Sequence, residues 1–509
     1  MTDPAAASSP PRHHDLLDPL GANGRAEQIV GDDAWLGALV AAEAALSKAL
    51  VAAGIAPEWM LGVADSFSAS GAIDLPSIAV AGRAGGNPVI PLVTQLRALA
   101  DSGHAGAAQY VHVGATSQDI VDTAAMLVAA HTLESVTADL RLVGSALADL
   151  ARTHRRTPQA GRTLGQHASP TTFGFVVAGW LSAVCSLIER AVDVRQSVPA
   201  SLAGAVGTLG AMTQAVAEQS PAHPEQMSAT AATPTLTPAT GTAEIVDAIV
   251  ADFAATLGLA RPALSWHTNR LPIVEVGSML AAATGVMGSI ASQVAELCRT
   301  EIQELGEGLG AGEGGSSAMP HKRNPVGAVL ILAAAKQTPG LLSTLYGGLI
   351  AEDQRAIGGW HAEWQTLRQL ERLTLESVSA TVPLIENLHV DSVRMRSNLD
   401  LTHGLLYSER VSSVLARQLG RDRAFELVRE ASAAVSASDP LEAVLDSRLA
   451  ANGFSADSEL RAHIQAAFDP DLIIDHTATG IDRALEHFDA LCAGRLAGER
   501  ADEQEEYLL

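Results

Sequence analysis

The chain has 509 residues and a formal net charge of −24. That is enough chain for two or three domains, and acidic enough to exclude nucleic acid or an anionic membrane surface as partner. Hydrophobic residues make up 47 % and aromatic residues 4 %, and with abundant alanine and little β-branched alternation this is a composition of helices, so an all-α fold is expected. Cys185, Cys298 and Cys492 are far apart with no CxxC spacing, which offers neither a disulfide framework nor a zinc site and suits a reduced, cytoplasmic setting.

Residues 1–24 lack the basic start and apolar stretch of a signal peptide and read as a disordered leader. Residues 25–115 then form an N-terminal helical domain. In it Asp32 or Asp33 can cap a helix with Trp35, Leu39, Ala42, Leu46 and Leu50 on one face, ending at Gly54. Residues 116–382 form a central domain of long helices. The first begins at Thr116, with Asp119 three residues on as a capping-box partner, and continues to about Arg156. Thr172 to Arg195, Thr242 to Leu257, Ile273 to Leu305, Pro325 to Tyr346 and His361 to Ala380 follow. Residues 383–493 are expected to form a C-terminal helical domain, and 494–509 an acidic tail. Ala168 to Ile188 and Val276 to Ala295 carry no charge over nearly a membrane span. Their Ser, Thr and Gly content and the lack of positive-inside flanks favour the middle of a large bundle over a membrane. Helices this long cannot bury their faces within one compact monomer, which points to a homo-oligomer.

The chemistry concentrates in the string GSSAMPHKRNP, Gly315 to Pro325. Six of the ten residues from Gly306 to Gly315 are glycine, so the backbone there is free to move and to approach a ligand closely. Asn324 and Pro325 then suit a helix start, and Ser316, Ser317, His321, Lys322 and Arg323 sit at its positive end, a place to hold an anion. The G-K-[ST] ending of a phosphate-binding loop is absent, and no cofactor or metal is expected.

HVGATSQDIVDTA, His112 to Ala124, puts the hydroxyls of Thr116 and Ser117 at another helix N-terminus, where they can either take a carboxylate or simply cap the helix. GRTLGQHASPTTFG, Gly161 to Gly174, contains His167, either a substrate contact or a polar residue lining a helix. SWHTNR, Ser265 to Arg270, ends in a guanidinium suited to bidentate carboxylate binding. EDQRAIGGWHAEW, Glu352 to Trp364, offers Arg355, although its neighbours Trp360 and Trp364 equally fit a packed helix face.

In the order TSxD, GRT, WHTxR and GSSxMPxKxNP, these strings resemble the signature regions of the fumarase/aspartase superfamily. The resemblance covers roughly residues 25 to 490. GNPVIPLV, PTTFG, LAGAVGTL and EDQRAIGGWHAEW bring it closest to the branch that lactonises carboxymuconates. It implies a three-domain fold with a central long-helix bundle assembled into a homotetramer, sites built from several chains, and a small polycarboxylate substrate. It further implies that Ser316 moves a proton at the carbon alpha to a carboxylate, assisted by Lys322, while Thr116, Ser117, Asn324 and Arg270 hold carboxylates and His112, His167 and Arg355 add weaker contacts. Eliminating members of the superfamily normally carry a histidine where this chain has Leu164, and that histidine helps protonate the leaving group. A carboxylate leaves or attacks unprotonated, so its loss fits lactone formation. A fumarate-releasing enzyme of the adenylosuccinate type would need a replacement acid. A purely structural homologue would not need Ser316, Lys322 and Asn324.

Overall fold

The computed structural model describes residues 17–494 apart from positions 70, 72, 220–240, 309, 311–313 and 455–457. Most of the expected leader and nearly all of the acidic tail lie outside the described residues. Among the described residues helices dominate, joined by two short antiparallel strand pairs. The chain divides into two compact units. One comprises residues 1–137, 190–285 and 333–377, the other residues 138–189, 286–332 and 378–509. The divisions fall inside the long helices, so neither unit is a continuous stretch of sequence.

In the first unit, the Asp32–Ala52 helix buries Leu39, Ala42, Leu46 and Leu50. Its N-cap is Gly31, and Asp32 and Asp33 lie in the first turn beside the helix dipole instead of capping it. The Leu271–Leu297, Val326–Gly347 and Gly359–Glu386 helices meet where Gly277 leaves no room for a side chain: a Cβ there would lie 2.5 Å from Leu345 Cδ1 and 3.6 Å from Leu370 Cδ2. Nearby, the buried hydroxyls of Thr284 and Thr374 bond to each other at 2.9 Å. The Leu271–Leu297 helix is shorter than expected. A turn follows it, in which Gln303 adopts φ +52°, and Leu305 starts a strand, Leu305–Glu307.

The second unit holds a hairpin that helical periodicity did not reveal. Strands Pro158–Thr163 and Gln166–Thr172 pair antiparallel, and the two linking residues, Leu164 and Gly165, have φ of +51° and +78°, the left-handed pair of a tight hairpin turn. The Ile473–Cys492 helix packs against this hairpin, joining it through Thr172 and Thr477 hydroxyls 3.2 Å apart. The absent side chains of Gly144 and Gly480 admit the rings of Phe488 and Phe175; a Cβ at either would lie 2.3 or 2.6 Å from the ring. The C-terminal helices enclose their own core around Leu406, Val411, Leu415, Leu427, Leu441 and Leu445.

Candidate active site

Two groups of the expected site residues take shape, one in each unit. In the first, the Ser117–Thr153 helix starts as its sequence dictates: the Thr116 N–H donates to Asp119 Oδ2 at 2.9 Å. Asp119 is fully buried and does more than cap. Its carboxylate also accepts from the N–H groups of Ala203 and Gly204, both at 2.9 Å, and lies 2.7 Å from His267 Nε2. One carboxylate thus pins the LAGAVGTL segment and the WHTNR segment to the first turn of the helix. Gly204 is at φ +76°, the left-handed region that favours glycine.

Arg355 reaches the same turn. Its guanidinium donates to Thr116 Oγ1 at 2.8 Å, to Gln118 Oε1 at 3.0 Å and to the Ala205 carbonyl at 3.4 Å. His112 lies four residues before Thr116 with φ +64°, and its Nδ1 is 2.6 Å from Oε1 of the buried Glu43. Burial alone would lower the His112 pKa, but the hydrogen bond and charge of Glu43, with Asp119 behind it, raise it above the ordinary histidine value against the opposing Arg97. The turn therefore combines two hydroxyls, a helix N-terminus, a guanidinium and a cation-favouring imidazole, which is the chemistry of a carboxylate seat.

Arg270 is not part of that seat. It is 2 % exposed, and Asp122 engages it bidentately at 2.7 and 3.0 Å while Glu363 takes its Nε and its second terminal nitrogen at 2.7–3.2 Å. Burial opposes its charge, yet the two carboxylates hold it ionised. The Trp360 indole donates to Asp122 Oδ1 at 2.9 Å, closing a buried network beneath the helix start. The expected substrate clamp is thus a structural ion pair, because every donor of the fork is already spent inside the protein.

In the second unit, Ser316 Oγ accepts from the N–H groups of Ala318 at 3.4 Å and Met319 at 3.1 Å. Asn324 ties the two ends of the loop: its N–H donates to the Gly314 carbonyl at 2.9 Å, and its amide nitrogen to the carbonyls of Gly314 and Gly315 at 3.2 and 3.4 Å. Asn324 is thus a loop clasp, with its side-chain donor turned to the loop, and Lys322 is exposed. The start of the following helix is already occupied by a protein anion: Glu307 accepts from the N–H groups of Gly327 at 3.0 Å and Ala328 at 2.8 Å. The anion-holding power expected of that helix end is therefore spent on Glu307, and the donors left around Ser316 are those of the loop itself.

His167 stands on the second hairpin strand, paired in register with Arg162, and so does not line a helix. Burial and the charge of Arg162 lower its pKa, with Glu304 opposing. Arg162 in turn bonds to the fully buried Glu304, which also accepts from Gln159 at 2.7 Å and Asn398 at 2.8 Å. Leu164 is fully exposed at the hairpin tip of the protomer. Among the described residues, no group of three or more His, Cys, Asp or Glu side chains is placed to hold a metal ion. Sequence reading missed Glu43, Asp122 and Glu363. Asp119 and Trp360 were noticed, but not their roles as staple and indole donor.

Comparison with known proteins places these residues in a family context. A family model described as "Lyase" matches residues 27–256 and 217–340. The chain is 40 % identical over 484 residues to a nitrosuccinate lyase of Streptomyces davaonensis, covering 93 % of this chain and 96 % of that protein. It is 36 % identical over 465 residues to a 3-carboxy-cis,cis-muconate cycloisomerase of Pseudomonas aeruginosa, covering 91 % and 94 % respectively. A crystal structure of 3-carboxy-cis,cis-muconate lactonizing enzyme from Pseudomonas putida superposes with a TM-score of 0.76 at 32 % identity, covering 92 % of this chain and 97 % of that one.

Proposed function

The chain belongs to the fumarate-lyase (fumarase/aspartase) superfamily, and from that membership we propose that it interconverts 3-carboxy-cis,cis-muconate and 4-carboxymuconolactone. The observation that carries this reading is Ser316 Oγ in a glycine-rich loop, with the N–H groups of Ala318 and Met319 directed at it. Two backbone donors stabilise an alkoxide more than the neutral hydroxyl, which lowers the barrier to proton exchange with carbon. Exposed Lys322, six residues on, adds positive charge to the same loop.

In the lactonising direction a substrate carboxylate oxygen bonds to one carbon of a conjugated double bond. The π pair moves to the carbon alpha to a second carboxylate, forming an enolate-like dianion. Ser316 then gives its proton to that carbon and regains one from water. In the site built from several chains that the superfamily resemblance implies, Thr116, Ser117, His112 and Arg355 would hold the carboxylates and stabilise the developing charge, the kind of term that usually dominates such catalysis. No oxygen needs protonation in this sequence, which agrees with Leu164 standing where eliminating relatives have a histidine.

A second reading has its own support in the 40 % identity to a nitrosuccinate lyase. Removal of the proton alpha to a carboxylate by the Ser316 alkoxide, with the C–N electron pair departing on nitrite, would leave fumarate. Nitrite, like carboxylate, leaves without a proton, so Leu164 fits this reading as well. Offering the purified protein each substrate separates the two. Ultraviolet change with 3-carboxy-cis,cis-muconate and lactone by NMR is the expected result. Nitrite and fumarate from nitrosuccinate without lactone formation would favour the second reading, and turnover of neither would overturn both.

A further inference from the structure

We propose that Glu43 is a positioning residue of the carboxylate seat, holding His112 as an imidazolium whose free Nε2–H is presented to a substrate carboxylate. The inference deepens the proposed function and rests on it. Glu43 lies in the middle of the Asp32–Ala52 helix, between the buried Ala42 and Ala44, and is 0 % exposed. A carboxylate is costly to bury, so its presence there calls for a compensating partner. The structure supplies one: Oε1 is 2.6 Å from His112 Nδ1, while Oε2 has no partner among the described residues.

Three features make the pair directional. With Nδ1 engaged by Glu43, the only nitrogen of His112 left to face outward is Nε2. A carboxylate acceptor at Nδ1 requires a proton there, so the neutral ring would leave Nε2 a bare acceptor and repel a substrate carboxylate, whereas the cation makes it a donor. The backbone of His112 is held at φ +64°, a conformation that a non-glycine residue adopts only where its surroundings impose it. The ring thus stands four residues from Thr116, at the turn where Arg355 already brings a cation. The charged groups facing the imidazole are Glu43 and Asp119, which favour the cation, and Arg97, which opposes it.

Calorimetric titration with tricarballylate, a stable tricarboxylate probe, tests this without reliance on turnover. The wild-type protein should bind it, with affinity falling as pH rises and His112 loses its proton. Glu43→Gln should keep its fold by thermal unfolding, weaken binding about tenfold near neutral pH, the scale of one charge-assisted hydrogen bond, and move the fall in affinity to lower pH. Glu43→Asp, which restores the charge, should recover part of the loss. His112→Asn should weaken binding similarly, and adding Glu43→Gln to it should cost little more, because Glu43 acts only through His112. Wild-type binding with an unchanged pH profile in Glu43→Gln, or additive losses in the double variant, would overturn the inference alone. Absence of binding by the wild-type protein would overturn the carboxylate seat itself and the inference with it.

Discussion

At the scale of single residues, the polar groups divide into those already satisfied inside the protein and those with donors to spare. Arg270 and Ser316 mark the two ends. Arg270 is fully committed to Asp122 and Glu363, so replacing it removes one charge of a buried network and leaves the others uncompensated. Ser316 is only half-buried in its loop, and among the described residues only loop N–H groups bond to it. Ser316→Ala should therefore reduce turnover by at least a thousandfold while shifting stability by no more than about 0.5 kcal/mol, as for a surface substitution; retention of a tenth of wild-type activity would remove Ser316 from the mechanism. Leu164 gives the complementary test. Its left-handed φ and full exposure mean that Leu164→His carries none of the burial cost a core site would impose, and histidine tolerates that conformation better than leucine. Stability should be unchanged within about 0.5 kcal/mol, and lactone formation should not accelerate, because no oxygen awaits a proton. A clear rise in turnover by progress-curve assay would show that oxygen protonation limits the reaction.

At the scale of elements, what was legible in the sequence was what is local in the chain. Thr116 and Asp119 are three residues apart, and the Asp119 half of the capping box they announce is present, the Thr116 hydroxyl being taken instead by Arg355. The bounds of the Phe173–Ser197 and Thr242–Thr256 helices follow from apolar runs between breakers. The partners of the site were not legible for the opposite reason: Glu43 and His112 are 69 residues apart, Arg270 and Glu363 93, and Asp122 and Arg270 148, and no single spacing encodes such pairs. The hairpin went unread because its strands lack apolar alternation and are held by the Ile473–Cys492 helix, some 300 residues on. The signature loop shows both cases at once. Asn324 and Pro325 correctly announced a helix start, yet its cap is Glu307, about 20 residues upstream. Glu307→Ala should therefore destabilise the protein by about 1 kcal/mol, as loss of an N-cap does, and Glu307→Gln by less, since an acceptor remains. Thermal unfolding of both variants checks the order; equal and negligible shifts would mean that water replaces the carboxylate at no cost.

At the scale of the whole molecule, the protomer leaves part of its apolar helix surface uncovered. Among the described residues four helices are long and apolar enough to cross a membrane by length and composition, and three of them bury 50–61 % of their most apolar window within the protomer. The fourth, Val326–Gly347, buries only 22 %. It and the loop beyond expose Val329, Tyr346, Ile350 and Ile357, the last two by about 80 %. Apolar surface gathered in one stretch, in an acidic chain, needs cover. Copies of the same chain would supply it symmetrically, since a long helix with an open apolar face packs readily against its own symmetry mate. We therefore expect a homotetramer, the assembly that the superfamily resemblance implies. Light scattering at micromolar concentration should report about four times the 52.6 kDa chain mass. Charged substitutions at the exposed apolar positions of the helix and of the loop beyond it, Val329→Glu with Ile350→Glu, should shift the mass towards smaller species while leaving the helical content of the protomer intact by circular dichroism. A stable monomer in the wild-type protein would refute the expectation and would leave the exposed face of Val326–Gly347 to some other partner.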